Sequence, residues 1–304
     1  MSILVVGSVA FDSISTPFGT VDDVLGGSAC YFSTSASFFT DVNLVAVVGD
    51  DFPEQHLDFL RSRGVDLEGL KKSAGRTFRW KGRYDYDLNE AHTLETHLNV
   101  FEQFEPVLPA SYQDAEYVFL ANIDPELQLE VLNQVKNPRL VASDTMNFWI
   151  EGKRDALIKT LGRVDTLVIN EAEVRQLAGE PNLVKAAEIV RSFGPKTLVV
   201  KRGEYGVLMF AEHSIFSAPA YPLEEVFDPT GAGDTFAGGF IGYLAATRNL
   251  DEGNLRRAIV FGTVMASFTV EQFSLDRMRT LNYEEIENRY RRIQLLTEFS
   301  SLDD

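Results

Sequence analysis

Short apolar segments alternate along the chain with segments of helical spacing, and this alternation limits the possible folds more than any other feature. Each apolar segment has the length and the continuous character of a buried β-strand. These segments cover residues 3–6, 42–48, 117–121, 140–143, 166–169 and 197–200. A chain that alternates strand and helix in this way forms a mainly parallel sheet with helices on both faces. Ligands of such folds bind beyond the carboxyl ends of the strands.

The composition limits the size of the core and the kinds of partner. The 304 residues are 45% hydrophobic, which is enough for one large α/β domain, and we predict a single domain over residues 1–304. The net charge of −17 argues against nucleic acids and anionic membranes as partners. Cys30 is the only cysteine, so no internal disulfide can form. A small-molecule partner is therefore expected.

The start of the chain and the length of its apolar runs bear on its location. Residues 1–6 carry neither a basic leader nor a cleavage pattern, so no signal peptide is predicted. No apolar run approaches the length of about 18 residues that a membrane-spanning helix needs. We therefore expect a cytoplasmic protein.

A glycine-rich turn between two carboxylates precedes an apolar helical segment. It reads D-P-T-G-A-G-D over residues 228–234. The first amide groups of a helix have no partner within the helix and lie at its positive end, where they bind phosphate. Asp234 would lie in the first helical turn, where a carboxylate can accept a proton from an attacking hydroxyl. The alternative is a helix cap with a glycine-rich turn and no catalytic function.

This turn resembles the late D-T-x-G-A-G-D signature of the PfkB (ribokinase-like) carbohydrate kinase family, with the threonine shifted by one position. The resemblance extends over the whole chain and implies a ribokinase-like three-layer α/β fold with a small inserted β-lid. It also implies transfer of the γ-phosphoryl group of ATP with Mg²⁺ as cofactor. In that reaction Asp234 would be the general base, and the amides of Gly231, Ala232 and Gly233 would form the anion hole.

The first third of the chain carries the candidate acceptor-binding residues. Asp12 follows the first strand, where the family has a substrate-binding aspartate, and the alternative for Asp12 is a turn residue. Residues 26–28 resemble the early G-G motif of the family, at which a substrate can approach the backbone closely; a helix start is the structural interpretation. Many members carry an asparagine at the position of Tyr31. The residues assigned to the substrate are Asp12, Gly26, Gly27, Ser28, Tyr31 and Arg79.

The second half of the sequence carries the candidate nucleotide and metal residues. Asn170 and Glu173 have the spacing of the family's N-x-x-E motif, which orders Mg²⁺ and phosphate through water. The same spacing forms a helix capping box, and both interpretations can hold together. Residues 144–147 resemble only loosely the D-x-N segment that the family has near the middle of its sequence, since they contain one extra residue.

A second family motif, T-x-G-x-x-G, borders the nucleotide. Gly203 and Gly206 match it, whereas Lys201 replaces the threonine. The predicted ATP site consists of Asn170, Lys201, Gly203, Gly206 and Thr230. Asp228 is in addition a candidate ligand for a monovalent cation such as K⁺.

Alternating apolar and charged side chains interrupt the α/β pattern at residues 78–100. One parity is largely aromatic (Phe78, Trp80, Tyr84 and Tyr86), and the other is largely charged. This pattern predicts a two-stranded ribbon whose apolar face must be covered. The resemblance implies a β-lid over about residues 9–20 and 70–101, which closes over the substrate and allows a homodimer formed through the lid. A decorative hairpin is the alternative.

Three functions follow in order of preference. The first is an ATP-dependent kinase that phosphorylates a hydroxyl of a sugar or related polyol. The second is a nucleoside kinase, since Tyr31 and the aromatic residues of the lid could stack on a nucleobase. The third is a catalytically inactive sugar or nucleotide sensor, which is disfavoured because Asp234 is present. A Walker-type NTPase is excluded, because the sequence has no G-x-x-x-x-G-K-[ST] motif.

Overall fold

The computed structural model describes residues 2–300, which form a large central sheet, a smaller sheet and covering helices. The strands of the central sheet are β1 (Ser2–Val6), β4 (Asp41–Val48), β5 (Val65–Asp66), β6 (Leu70–Lys72), β9 (Tyr117–Leu120), β10 (Leu140–Asp144), β11 (Thr166–Asn170), β12 (Thr197–Lys201), β13 (Val207–Phe210) and β14 (Ile215–Ala218). The strands of the smaller sheet are β2 (Ala10–Thr16), β3 (Gly19–Gly26), β7 (Phe78–Tyr84) and β8 (Ala91–His97).

Helices cover the central sheet on both faces. They are α1 (Ser28–Ala36), α2 (Glu54–Ser62), α3 (Pro125–Gln134), α4 (Asn147–Gly152), α5 (Arg154–Leu161), α6 (Glu171–Ala178), α7 (Leu183–Arg191), α8 (Ala232–Thr247), α9 (Glu252–Thr269), α10 (Asp276–Thr280) and α11 (Tyr283–Leu296). None of the helices within residues 2–300 has the length and apolar character that crossing a lipid bilayer requires.

The central sheet has the strand order β14-β13-β12-β11-β10-β9-β1-β4-β5, and β6 also pairs with β4. Its pairs from β12 to β5 are parallel, and only the β12–β13 and β13–β14 pairs are antiparallel. The mainly parallel sheet predicted from the sequence is therefore confirmed. Because parallel strands end at the same edge, their last residues lie together.

Alternate residues of the central strands belong to different hydrophobic clusters, of which there are three among residues 2–300. In β1, Ile3 and Val5 belong to the core that includes residues of α1, α8 and α9, whereas Leu4 and Val6 belong to the core on the opposite face. Helix α8 packs against both α1 and α9 and is buried along most of its length. This burial fixes the position of the glycine-rich turn at its N-terminus.

The smaller sheet is the β-lid, and it has four strands in the order β3-β2-β7-β8. The predicted boundaries need correction, because all of β3 belongs to the lid, whereas β6 pairs with β4 in the central sheet. Residues paired across neighbouring strands lie on the same face of a sheet. Asp12 pairs with Trp80, and Phe11 pairs with Arg79, so the two pairs lie on opposite faces.

The aromatic face of the lid is covered only in part. Tyr84 is buried, and Phe78 stacks on Phe101. Tyr86, however, is 86% exposed, because β7 ends at Tyr84 and Tyr86 lies in the turn that follows. Tyr86 is therefore not covered within the single chain, and its burial against a partner subunit stays a prediction.

Candidate active site

Three neighbouring parallel strands end in polar side chains at one edge of the central sheet. Strand β10 ends at Asp144, β11 at Asn170 and β12 at Lys201. Asn170 and Lys201 are paired in register. The N-terminus of α8 lies at the same edge, since a Cβ atom added to Gly233 would be 2.7 Å from Nζ of Lys201. This edge therefore brings together the residues predicted for the nucleotide and the glycine-rich turn.

The loop before α8 is held by the buried carboxylate of Asp228. Its Oδ1 accepts a hydrogen bond from the amide of Thr230 at 2.9 Å, and its Oδ2 accepts one from the amide of Ser274 at 3.0 Å. Gly231 follows with φ of 72°, and a Cβ atom at this position would collide with the ring of Tyr31. Glycine is required at residue 231 by both the backbone conformation and the close approach of the ring.

The three amides assigned to the anion hole are not equivalent. The amide of Ala232 donates to the carbonyl oxygen of Pro229 at 3.2 Å, because the first turn of the helix closes on that residue. The amides of Gly231 and Gly233 have no acceptor within residues 2–300. The prediction for Ala232 is corrected accordingly, and Gly231 and Gly233 are the donors that remain for an anion.

Asp234 lies in the first turn of α8, as predicted. Burial raises the pKa of its carboxyl group to about 7, the nearby Asp144 contributes in the same direction, and Lys201 opposes the shift. A carboxyl group with a pKa near 7 can gain and lose a proton at neutral pH, which suits a general base.

Lys201 is the cation of this cluster. Its ammonium group donates a hydrogen bond to Oδ2 of Asp144 at 3.1 Å, and it interacts electrostatically with Glu173 and Asp234. The other carboxylate oxygen of Asp144, Oδ1, accepts a hydrogen bond from the amide of Thr145 at 2.8 Å. The sequence indicated Asp144 only loosely, because the spacing of residues 144–147 departs from the family motif.

Asn170 and Glu173 form the predicted capping box of α6. Oδ1 of Asn170 accepts a hydrogen bond from the amide of Glu173 at 2.8 Å, and Oε2 of Glu173 accepts one from the amide of Asn170 at 3.0 Å. Burial raises the pKa of Glu173 to about 7, with a further contribution from Asp144. Within residues 2–300 no three or more His, Cys, Asp or Glu side chains are grouped closely enough to hold a metal ion by themselves.

Asp12 lies on the inner face of the lid, against the start of α1. Its carboxylate lies across Gly26, where any Cβ atom would collide with it, and it accepts a hydrogen bond from the amide of Gly27. Burial raises the pKa of Asp12 to about 7; the Gly27 bond opposes the shift, whereas Asp228 and Asp234 add to it. Asp12 is therefore within electrostatic range of the glycine-rich turn.

Two further residues near Asp12 differ in their contacts. Ser28 exchanges hydrogen bonds with Ser8, which joins the end of β1 to the start of α1. Tyr31 is buried, and its hydroxyl group has no hydrogen-bond partner within residues 2–300. Burial raises the pKa of its phenol, and the charges of Asp12 and of the glycine-rich turn add to the shift. Tyr31 thus carries an unsatisfied polar group on a ring that lies beside the glycine-rich turn.

Arg79 does not join this cluster. It pairs with Phe11 on the opposite face of the lid from Asp12, and its guanidinium group lies 4.9 Å from the centroid of the Phe11 ring. The same group forms ion pairs with Asp51 at 2.8 Å and Asp23 at 3.2 Å. The predicted assignment of Arg79 to the substrate site is therefore corrected, because the register of β2 and β7 places Arg79 on the face of the lid opposite to Asp12.

Two contacts between the lid and the nucleotide edge were not predicted. The hydroxyl of Tyr84 lies 3.3 Å from Oγ1 of Thr230, and the side chain of Asn89, in the turn between β7 and β8, abuts Gly203. Only the alternating pattern of the ribbon indicated Tyr84, and nothing local in the sequence indicated the position of Asn89. Gly206 closes the Gly203 turn, because its carbonyl oxygen accepts a hydrogen bond from the amide of Arg202 at 2.9 Å.

The sequence matches a known family over most of its length. The model of the pfkB family carbohydrate kinases matches residues 2–280. Cytidine kinase from Thermococcus kodakarensis is 33% identical over 258 residues, which are 83% of this chain and 91% of that relative. Nucleoside kinase from Methanothermobacter thermautotrophicus is 26% identical over 288 residues, 88% of this chain and 89% of the relative.

Solved structures resemble the whole fold. A protein described as ribokinase II from E. coli, in complex with ATP and Mg²⁺, has a TM-score of 0.78 at 19% identity and covers 96% of this chain and 99% of its own. Nucleoside kinase from Methanocaldococcus jannaschii has a TM-score of 0.76 at 20% identity, with 96% and 98% covered. These similarities confirm the predicted three-layer α/β fold.

Proposed function

The chain belongs to the pfkB family of carbohydrate kinases, and we propose that it transfers the γ-phosphoryl group of ATP to a hydroxyl group of a nucleoside. Family membership makes it a phosphotransferase with a hydroxyl acceptor. The sequence alone favoured a sugar or polyol and kept a nucleoside as the alternative. The finer choice rests on the inner face of the lid and on the names of the relatives.

The pairing of Asp12 with Trp80 carries this choice. The two residues are register partners and lie on the same face of the lid. A carboxylate can accept hydrogen bonds from two vicinal hydroxyls, as on a ribose, and an indole ring can stack on a base. The ring of Trp80 lies over Gly82 and donates from Nε1 to Thr93 at 3.1 Å, which holds it in place. A simple sugar could bind the carboxylate but has no base for the indole to stack on.

The relatives support the same choice. The relative with 33% identity is named cytidine kinase, and the one from Methanothermobacter thermautotrophicus is named nucleoside kinase. Other relatives are named ribokinase, inositol 3-kinase and fructokinase, so the family as a whole does not decide the acceptor. We select cytidine as the first nucleoside to test.

The proposed chemistry uses the edge of the central sheet. Asp234 accepts the proton of the acceptor hydroxyl, whose oxygen forms a bond to the γ-phosphorus. The bond from that phosphorus to the bridging oxygen breaks, and ADP leaves with the electron pair. The amides of Gly231 and Gly233 donate hydrogen bonds to the phosphoryl oxygens. Phosphoryl transfer requires mainly this positioning and charge neutralisation.

The residues present suit a magnesium ion bound together with the nucleotide. Asn170 and Glu173 offer oxygen donors, and Mg²⁺ prefers oxygen ligands and keeps several waters and phosphate oxygens. When bound, Mg²⁺ would neutralise part of the phosphate charge. A K⁺ ion near Asp228 stays a prediction, since both carboxylate oxygens of Asp228 already accept backbone amides.

The homodimer formed through the lid also stays a proposal. The outer face of the lid contains a polar groove of about 300 Å³ that is lined by residues of both charges, among them Lys81, Glu95 and Arg79. Such a mixed surface can pair with a second copy of itself. Sedimentation of the purified protein tests this, and a monomer at micromolar concentration would contradict it.

A panel of acceptors tests the proposed function. ADP release is measured with Mg²⁺-ATP and each of cytidine, uridine, adenosine, inosine, ribose, fructose and myo-inositol, with Asp234→Asn as the inactive control. We expect at least one nucleoside to exceed every free sugar by about 100-fold in kcat/KM, because a stacked base adds binding that a sugar lacks. If ribose or inositol is turned over as efficiently as the nucleosides, the function is that of a sugar or polyol kinase. No turnover of any acceptor would favour the sensor.

A further inference from the structure

The ammonium group of Lys201 lies in a largely buried position at the nucleotide edge of the sheet. Lys201 is the last residue of β12, and its side chain is only 19% exposed. Nζ lies 3.1 Å from Oδ2 of Asp144 and 2.7 Å from the place where a Cβ atom on Gly233 would be. The ammonium group therefore lies between a carboxylate and the first turn of α8.

The hydrogen bonding of this ammonium group is incomplete. A lysine ammonium has three N–H donors. Within residues 2–300 only Asp144 accepts a hydrogen bond from the ammonium group of Lys201. A largely buried charge normally makes all the bonds it can, so the remaining donors point to a ligand with oxygen acceptors. The adjacent amide of Gly233 also lacks an acceptor within the part of the sequence that the structure describes.

The charge around Lys201 supports a catalytic function. Asp144, Glu173 and Asp234 all act on it electrostatically, so Lys201 is one cation among three carboxyl groups. Bound ATP adds further negative charge to this cluster, in a protein whose net charge is already −17. A fixed cation at the helix N-terminus would offset the charge that the transferring phosphoryl oxygens bring.

We propose that Lys201 is a catalytic residue whose ammonium group binds the γ-phosphoryl group of ATP at the N-terminus of α8. This inference rests on the proposed phosphoryl transfer but not on the choice of a nucleoside. As the acceptor oxygen bonds to phosphorus and the bridging oxygen leaves with ADP, an N–H of Lys201 donates to a non-bridging oxygen. The acceptor proton passes to Asp234. The T-x-G-x-x-G motif that this segment resembles has a neutral threonine where this chain has Lys201.

A purely structural ion pair with Asp144 is the competing explanation. In that case Lys201→Met would leave a buried carboxylate unpaired and destabilise the fold, without a specific effect on the γ-phosphate. The double variant Lys201→Met/Asp144→Asn removes that unpaired charge and keeps the test valid if the single variant unfolds. Lys201→Arg retains the charge, and Lys196→Met is a matched control at the other, exposed end of the same segment.

Calorimetry with two nucleotides separates the explanations without using any acceptor. Binding of ADP and of the non-hydrolysable ATP analogue AMP-PNP is measured with Mg²⁺ for each variant. We expect Lys201→Met and the double variant to lower the affinity for AMP-PNP about 10-fold or more relative to the affinity for ADP, because only the analogue carries a γ-phosphate. Lys201→Arg should recover most of this difference, and Lys196→Met should leave both affinities unchanged.

Turnover gives a second measurement with any acceptor that the panel identifies. We expect kcat of Lys201→Met to fall by about 100-fold or more, with the acceptor KM nearly unchanged, since the contact is strongest in the transition state. Equal weakening of ADP and AMP-PNP, or a kcat within about threefold of the wild type, would overturn the proposal. A panel in which only sugars react would contradict the nucleoside assignment and leave this test intact.

Discussion

The hydroxyl groups of Tyr84 and Thr230 lie 3.3 Å apart and join the β-lid to the loop that leads into α8. The turn of the same lid hairpin reaches Gly203 through Asn89. The lid therefore contacts both the glycine-rich turn and the loop predicted to border the nucleotide. A lid held in this way can exclude water during phosphoryl transfer.

Removal of the Tyr84 hydroxyl tests this closure. Tyr84→Phe keeps the buried ring and loses one hydrogen bond, which is typically worth about 1 kcal/mol. We expect the acceptor KM to rise by about 2- to 10-fold, with the melting temperature close to that of the wild type. Steady-state kinetics and thermal unfolding provide the measurement. An unchanged KM would show that the contact does not contribute to closure.

Trp80 provides an optical probe of the same movement. The protein has two tryptophans, and the second, Trp149, lies in α4 and donates a hydrogen bond to Asn122 at 3.0 Å. In a Trp149→Phe background, addition of the acceptor should change the emission of Trp80, because the ligand and the closed lid exclude water around the ring. Emission that stays constant through saturation by the acceptor would contradict both the stacking and the closing of the lid.

The protonation of Asp234 predicts the dependence of the rate on pH. The pKa of its carboxyl is raised to about 7, first by burial and then by Asp144, and only the ionised form accepts a proton. We therefore expect kcat/KM to rise with pH through about 7 and then to level off. Asp234→Asn should lower kcat by at least about 100-fold, with ATP binding nearly unchanged. Wild-type turnover in that variant would exclude Asp234 as the base.

Local sequence patterns predicted the features that depend on neighbouring residues. The capping box of Asn170 and Glu173 and the position of Asp234 in the first turn of α8 are of this kind, since each needs only a fixed spacing and the right side chains. The alternation of strands and helices likewise predicted the parallel sheet.

The features that sequence could not supply depend on contacts between distant segments. The ion pair of Lys201 with Asp144 joins residues 57 positions apart, and the bond from Tyr84 to Thr230 joins residues 146 positions apart. Arg79 was misassigned because the parity of a strand does not show which face meets the site. The donor lost at Ala232 depends on the backbone path at Pro229, which the motif does not specify.

Glu173 is predicted to act on Mg²⁺ as well as on the end of α6. Glu173→Gln keeps an oxygen that can accept the Asn170 amide, and it removes the charge. Activity should then need a higher Mg²⁺ concentration, while the melting temperature stays near that of the wild type. Titration of the rate with Mg²⁺ and thermal unfolding give both readouts. A lower melting temperature with an unchanged Mg²⁺ requirement would leave Glu173 a capping residue only.

Asp12 should show opposite effects on function and on stability. Burial raises the pKa of its carboxyl to about 7 in the folded protein, whereas an unfolded aspartate keeps its ordinary value near 4. The folded form thus binds the proton more tightly. The contribution of the protonated Asp12 to the free energy of unfolding is fully present below about pH 4 and is lost as the pH rises through about 7. Asp12→Asn has no such charge to bury. We expect it to melt at a higher temperature than the wild type at pH 8, and at nearly the same temperature at pH 4.

The same substitution should weaken the acceptor. Hydrogen bonds from hydroxyls to a charged carboxylate are worth about 1.5–3 kcal/mol each, so Asp12→Asn should raise the acceptor KM by about 10- to 100-fold without affecting ATP. Thermal unfolding at the two pH values and kinetics at pH 8 test the pair of effects together. A buried carboxylate that costs stability yet binds substrate fits a functional residue, because function is often maintained at a cost in stability. If the variant melts lower at pH 8 and its acceptor KM is unchanged, Asp12 is a structural residue of the lid.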